Sequence, residues 1–209
     1  MKYNRLKNHL RDLRNFKAPD LYIFSYGGCG TRTFFEFVRA RRKLNSQPHV
    51  HYGRIEDVPA GVRALYLYGD PRDAVLSFLG RQENDDATFV TRHLENLDAS
   101  CKKMPSLEAY VDEGHDVFQL KRHFERYVYN DQRRCELMVV RFEDIWDHLD
   151  EVLGYVGLAD AVSDFPPQRA RRSKQQSLEP ITRVTLNTYM KPLLEMQNSL
   201  PPIWHLQAK

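Results

Sequence analysis

Gly27-Gly28-Cys29-Gly30-Thr31-Arg32 follows an apolar stretch and precedes a helical pattern. Glycines let successive backbone N–H groups turn toward one point, and a helix start adds partial positive charge there. Thr31 and Thr33 can add hydroxyl donors and Arg32 a fixed cation, so the run suits an anion of phosphate size. A tight strand-to-helix turn without a ligand uses the same residues. The run is not a Walker A loop, because no lysine occurs from Ala18 to Arg42 and that motif requires one. Phosphoryl transfer from ATP leans on that lysine and on magnesium, which argues against a kinase. A phosphatase signature C-x₅-R also fails, since Phe35 stands where the arginine belongs. Cys29 sits where a helix start lowers a thiol pKa, and it equally suits a crowded turn as a small residue.

A second group of chemistry-bearing residues lies in Tyr66-Leu67-Tyr68-Gly69-Asp70-Pro71-Arg72-Asp73-Ala74-Val75-Leu76-Ser77. Asp70 can cap a helix and Pro71 suits its first position, where no N–H is needed. Arg72 then falls in the first turn, with Ser77 five residues on. Pro48-His49-Val50-His51 supplies two histidines two residues apart, which face the same side of an extended segment. A histidine titrates near working pH and is therefore the natural proton acceptor, with His51 and His49 as candidates; packing or surface roles use the same residues. Glu36, Asp73 and Glu143 are outside candidates, the latter two reading more simply as helix-start carboxylates.

Strands and helices must bring these residues together. Leu21 to Tyr26, Ala64 to Tyr68 and Leu137 to Phe142 are short, nearly continuous apolar runs, each followed by a turn and a helix start. Such alternation predicts an α/β fold: three layers, α/β/α, around a central and mostly parallel sheet. The first helix is expected from Thr31 to about Arg42. Asp144 is expected to cap a helix carrying Ile145, Leu149, Val152, Leu153 and Val156, closed at Gly157. Residues 86–99 and 115–130 read as helical, a last helix spans Ile181 to Gln197, and Pro201-Pro202 ends the ordered pattern. Pro48 to Tyr52 is a candidate further strand. Residues 1–17 hold Leu6, Leu10 and Leu13 at helical spacing with six cations against Asp12, a basic amphipathic N-terminal helix. Residues 163–178, with Arg169, Arg171, Arg172 and Lys174, read as an exposed basic loop.

Composition sets bounds on this picture. With 209 residues and 42% hydrophobic content the chain can bury one core, so a single domain over 1–209 is expected. No apolar run approaches bilayer length, and the N-terminus lacks a signal-peptide core. Three cysteines are too few and too odd in number for a disulfide framework, which fits a reducing, cytoplasmic setting. No C-x-x-C or H-x₃₋₅-H pair suggests a structural zinc. A net charge of +3 is too mild to imply a nucleic-acid partner.

The second segment resembles the 3′-phosphate signature R-D-P-R-D-x-V-x-S of sulfotransferases that use 3′-phosphoadenosine 5′-phosphosulfate (PAPS). Gly28-Cys29-Gly30-Thr31-Arg32 resembles that family's 5′-phosphosulfate loop, K-x-G-T-[TR]. Val139-Val140-Arg141-Phe142-Glu143-Asp144-Ile145 resembles its V-R-Y-E-D-L corner, and Tyr155-Val156-Gly157-Leu158 the F-L-G-L that follows. The resemblance implies a P-loop-like nucleotide-binding architecture, PAPS as co-substrate, adenosine 3′,5′-bisphosphate (PAP) as product, and no required metal. It implies 5′ contacts from Gly28, Cys29, Gly30, Thr31, Arg32 and Thr33, and 3′ contacts from Arg72, Ser77, Arg169, Arg171, Arg172 and Lys174. His51 aligns with the catalytic histidine of a K-x-H pattern, with His49 at the lysine position. The implied activity is transfer of a sulfuryl group to a hydroxyl or amine of a small-molecule or carbohydrate acceptor. Two departures stand out: Gly28 replaces the usual lysine and Gly69 the usual arginine. They keep open a noncatalytic alternative, a nucleotide-binding or interaction module on the same fold; a P-loop kinase is the third reading.

Overall fold

In the computed structural model, residues 20–42, 49–50, 55–83, 104–168 and 174–209 are described. Five strands form one sheet in the order β2-β1-β3-β4-β5. They are β1 (Leu21–Phe24), β2 (His49–Val50), β3 (Arg63–Tyr68), β4 (Glu136–Arg141) and β5 (Ile203–Leu206). β1 runs parallel to β2 and β3, and β3 parallel to β4, while β5 pairs antiparallel with β4. Helices α1 (Thr31–Arg41), α2 (Pro71–Glu83), α3 (Leu107–Asp112), α4 (Leu120–Val128), α5 (Leu149–Tyr155) and α6 (Pro180–Asn198) flank it.

Strand periodicity separates two cores. On one face, Tyr22, Phe24 and Tyr26 line up with Ala64, Tyr66 and Tyr68 and with Leu137 and Val139, an aromatic layer packed under α2, α3, α4 and α6. On the other, Leu21 and Ile23, Leu65 and Leu67, Met138 and Val140 meet α1 and α5. The alternation follows from side chains pointing to opposite faces at successive residues. Phe34 and Val38 of α1 are wholly buried, and such side chains contribute about 1.5–3 kcal/mol each. The expected α/β/α layering is thus the observed architecture.

Topology then selects a location. α1, leaving β1, packs on one face, and α2, leaving the adjacent β3, packs on the other. Adjacent parallel strands whose helices depart to opposite faces define a switch point, the place where open α/β sheets bind ligands.

Several expectations are corrected. Asp144 caps no α-helix: a 3₁₀ segment runs from Phe142 to His148 before α5 begins, so Asp144 lies inside a tighter turn. The far end of α5 matches expectation, since Leu158 N–H reaches Leu153 O at 2.8 Å and Gly157 N–H reaches Gly154 O at 3.1 Å, the paired bonds of a Schellman motif. The 115–130 helix is shorter, Leu120–Val128, and α3 precedes it, capped by Ser106 Oγ on Ala109 N–H at 3.2 Å. Order does not end at Pro201-Pro202, because β5 follows and closes one side of the sheet. Of the expected basic loop at 163–178, the start overlaps a 3₁₀ turn at Ala159–Asp164 and Lys174–Ser177 forms another. The expected helices at 1–17 and 86–99 lie outside the described residues.

Candidate functional site

The turn after β1 (turn one, Ser25 to Gly30) and the turn after β3 (turn two, Gly69-Asp70) touch. The Tyr26 hydroxyl donates to Gly69 O and accepts from Gly69 N–H at 3.2 Å, while Gln197 Nε2 of α6 donates to the same oxygen at 3.2 Å. Burial drives the Tyr26 phenol pKa well above its ordinary value, so it stays protonated as donor. Gly28 rests on α2: a Cβ there would lie 2.7 Å from Ala74 Cα, at a backbone φ of +71°. A Cβ on Gly69 would lie 2.8 Å from Cys29 Cβ and 3.2 Å from a Glu143 carboxylate oxygen. Turn one, turn two and the β4 corner at Phe142-Glu143 therefore form one packed cluster beyond the strands' carboxyl ends.

Within turn one the polar groups point inward. Thr31 is 3% exposed, and its hydroxyl donates to Ser25 Oγ at 3.0 Å, which also accepts Gly27 N–H at 3.1 Å. Cys29 Sγ, wholly buried, lies 3.0 Å from Thr31 Oγ1. The Thr31 hydroxyl, a candidate ligand donor, braces the turn through Ser25. Cys29 fills the crowded space between the two turns. Thr33 is exposed. Arg32 is 86% exposed and pairs with Glu36 at 2.7 Å.

Turn two organises a polar cluster at the start of α2. Asp70 Oδ1 accepts Arg72 N–H at 2.8 Å, the expected cap, and its carboxylate receives Arg72 Nε at 2.9 and 3.1 Å. Arg72 Nη1 donates to Asn187 Oδ1 of α6 at 2.8 Å. Gln175 Nε2 donates to Asp73 Oδ1 at 2.8 Å and reaches Asp70 Oδ2 at 3.3 Å. Burial opposes ionisation of Asp70, but the bonds from Arg72 and Gln175 outweigh it and hold its carboxyl below the ordinary value. Ser77 is half-buried, further along α2.

His49 lies in β2, its backbone paired beside Ile23 of β1. His51, Arg169, Arg171 and Arg172 lie outside the described residues, as do the side chains of His49 and Lys174. Among the described residues, no cluster of three or more His, Cys, Asp or Glu side chains could hold a metal. No described helix is long and apolar enough to cross a membrane. Tyr26, Gln197, Asn187 and Gln175 were not anticipated. Tyr26 reads as one more strand residue, and the amides carry no charge or spacing to mark them.

No model of a known protein family matches the sequence, and no curated protein does. Among solved structures, the fold is similar to a crystal structure of mouse sulfotransferase SULT7A1 complexed with PAP. The two are 14% identical over 87% of this chain and 70% of that chain, with a TM-score of 0.41.

Proposed function

We propose that this chain binds PAPS across the crevice between the two turns and transfers its sulfuryl group to a hydroxyl or amine acceptor. One observation carries the reading: the two segments that resemble the 5′ and 3′ signatures are in direct contact at the switch point, through Tyr26 on Gly69 and Gly28 on Ala74. Backbone N–H groups of the turn from Gly28 to Arg32 would face the 5′ end, Thr33 N–H being bonded to Gly30 O at 3.0 Å. Arg72 and Ser77, joined by Arg169, Arg171, Arg172 and Lys174, would hold the 3′-phosphate. In the reaction an acceptor oxygen or nitrogen bonds to sulfur as the bond from sulfur to the bridging phosphate oxygen breaks. The acceptor proton passes to His51 or His49, and PAP leaves. Stabilisation of the departing phosphate by N–H donors and cations can serve without a metal.

At the α2 end Arg72 would be the described cation for a phosphate. At the α1 end the chain offers backbone amides without a lysine. Titration with PAP followed by calorimetry and thermal shift is the direct test. Saturable binding with a raised midpoint is expected, weakened at least tenfold in Arg72→Ala. Absence of any heat or shift at millimolar PAP overturns the reading.

The noncatalytic alternative gains from one feature. Lysine at 28 or arginine at 69 would collide with α2 backbone or with Cys29, so the missing cations have no room in this packing. Transfer of labelled sulfate to any acceptor, abolished in His51→Ala, would reject that alternative. PAP binding without transfer across a broad acceptor panel would favour it.

A further inference from the structure

Arg72 is held directly by two elements and, through Asp70, by a third. Its own helix start supplies Asp70, which takes Nε and Nη2; α6 supplies Asn187, which takes Nη1 at 2.8 Å. The 3₁₀ turn Lys174–Ser177 supplies Gln175, whose amide bridges Asp70 and Asp73 at 3.3 and 2.8 Å. Asp70 Oδ2 thus receives both Arg72 and Gln175, and its carboxylate cannot rotate without losing one of them. A guanidinium has five N–H donors. The bonds to Asp70 and Asn187 engage Nε and one N–H on each Nη, leaving a second N–H on each Nη unengaged among the described residues. Arg72, a quarter exposed at its side chain, is therefore an oriented fork whose remaining donors are available to an outside anion.

We infer that Asn187 and Gln175 are positioning residues that give the site its preference for a nucleotide bearing a 3′-phosphate. The inference rests on the reading under Proposed function and goes beyond it, assigning selectivity to two amides outside the motif segments. An unanchored arginine must surrender rotamer freedom when it grips a phosphate, whereas one pinned beforehand has already done so. A planar fork also discriminates only when its plane is set, since bidentate contact with phosphate is directional. Asn187 sets one Nη, and Gln175 keeps the Asp70 carboxylate square to the other side.

The test compares PAP with adenosine 5′-phosphate by calorimetry on the full chain. Asn187→Ala and Gln175→Ala are each expected to weaken PAP binding about tenfold while leaving adenosine 5′-phosphate affinity unchanged. In an Arg72→Ala background, Asn187→Ala should have no further effect on the ratio of the two affinities. Equal weakening of both ligands would mark a general loosening and overturn the inference. So would an unchanged ratio, or an effect of Asn187→Ala that persists without Arg72. Thermal midpoints check folding of each variant, and Asn187→Ser provides a milder second substitution. A wild-type chain that binds neither ligand defeats the proposed function itself, whereas wild-type PAP binding with unaltered variants defeats only this inference.

Discussion

The Tyr26 hydroxyl engages both backbone groups of Gly69, a residue 43 positions away in the chain. One phenol therefore accepts a turn-two N–H, donates to the same residue's carbonyl, and accepts the Gln197 amide from α6. Buried backbone groups need such partners, because water cannot reach them. The bond network thereby fixes the separation of the two turns as well as satisfying them.

Removing that hydroxyl should be felt locally and strongly. Tyr26→Phe keeps the ring and leaves Gly69 N–H and C=O without this partner, which costs about 1–3 kcal/mol. Urea denaturation checks it: a midpoint shift with an unchanged slope is expected. A variant as stable as wild type would show that the turns are held together by other means.

Restoring the missing cation at position 28 should not rescue anything. Any Cβ there meets Ala74 Cα at 2.7 Å, on a backbone with φ of +71°. Gly28→Ala should destabilise by about 2 kcal/mol or more, and Gly28→Lys at least as much. Adding Ala74→Gly should recover little, because the nearest contact is to backbone. Thermal midpoints of the three variants decide this, and full recovery in the double variant would contradict the geometry.

Asp70 ties stability to acid. Its folded-state pKa is lowered because the bonds from Arg72 and Gln175 outweigh the effect of burial. The sign follows from linkage: the stabilisation is complete above the ordinary carboxylate value of about 4 and fades as pH falls through the folded value. Asp70→Asn keeps a capping oxygen and loses this contribution. Thermal midpoints of wild type and variant should differ at pH 7 and converge toward pH 2. A gap that stays constant with pH would exclude the ion pair as its source.

Arg32 separates ligand contact from folding. It is 86% exposed and its partner Glu36 is 58% exposed, so the pair contributes little to stability. Arg32→Ala should leave the urea midpoint nearly unchanged. A loss of PAP affinity in that variant would then report a contact with the nucleotide, and an unaltered affinity would remove Arg32 from the site.

The sheet's central strands and both turns were readable because apolar runs end in residues with one local purpose: glycines, or Asp70 before Pro71. β5 was hidden by the same logic, since Pro201-Pro202 reads as a stop and a strand of four residues is too short to show a period. Asp144 misled because a carboxylate before an apolar stripe signals a cap, whereas the chain leaving Arg141 enters a 3₁₀ turn seven residues long. The polar cluster at Arg72 was half visible. Asp70 is local to it, but Gln175 and Asn187 arrive from more than a hundred residues away, and no spacing rule reaches so far.

Residue-by-residue pairing of Phe24 with Tyr66, and of Tyr68 with Arg141, makes β3 a ruler with no spare graduation. Deleting one residue inside it would turn Tyr66 and Tyr68 into the aliphatic layer and draw Gly69 back by about 3.3 Å, out of reach of Tyr26. Length changes in the turn just before Arg63, where a side chain on Gly61 would meet nothing within 4 Å, carry no such penalty, so natural variation in this chain should gather there and spare the six residues of that strand.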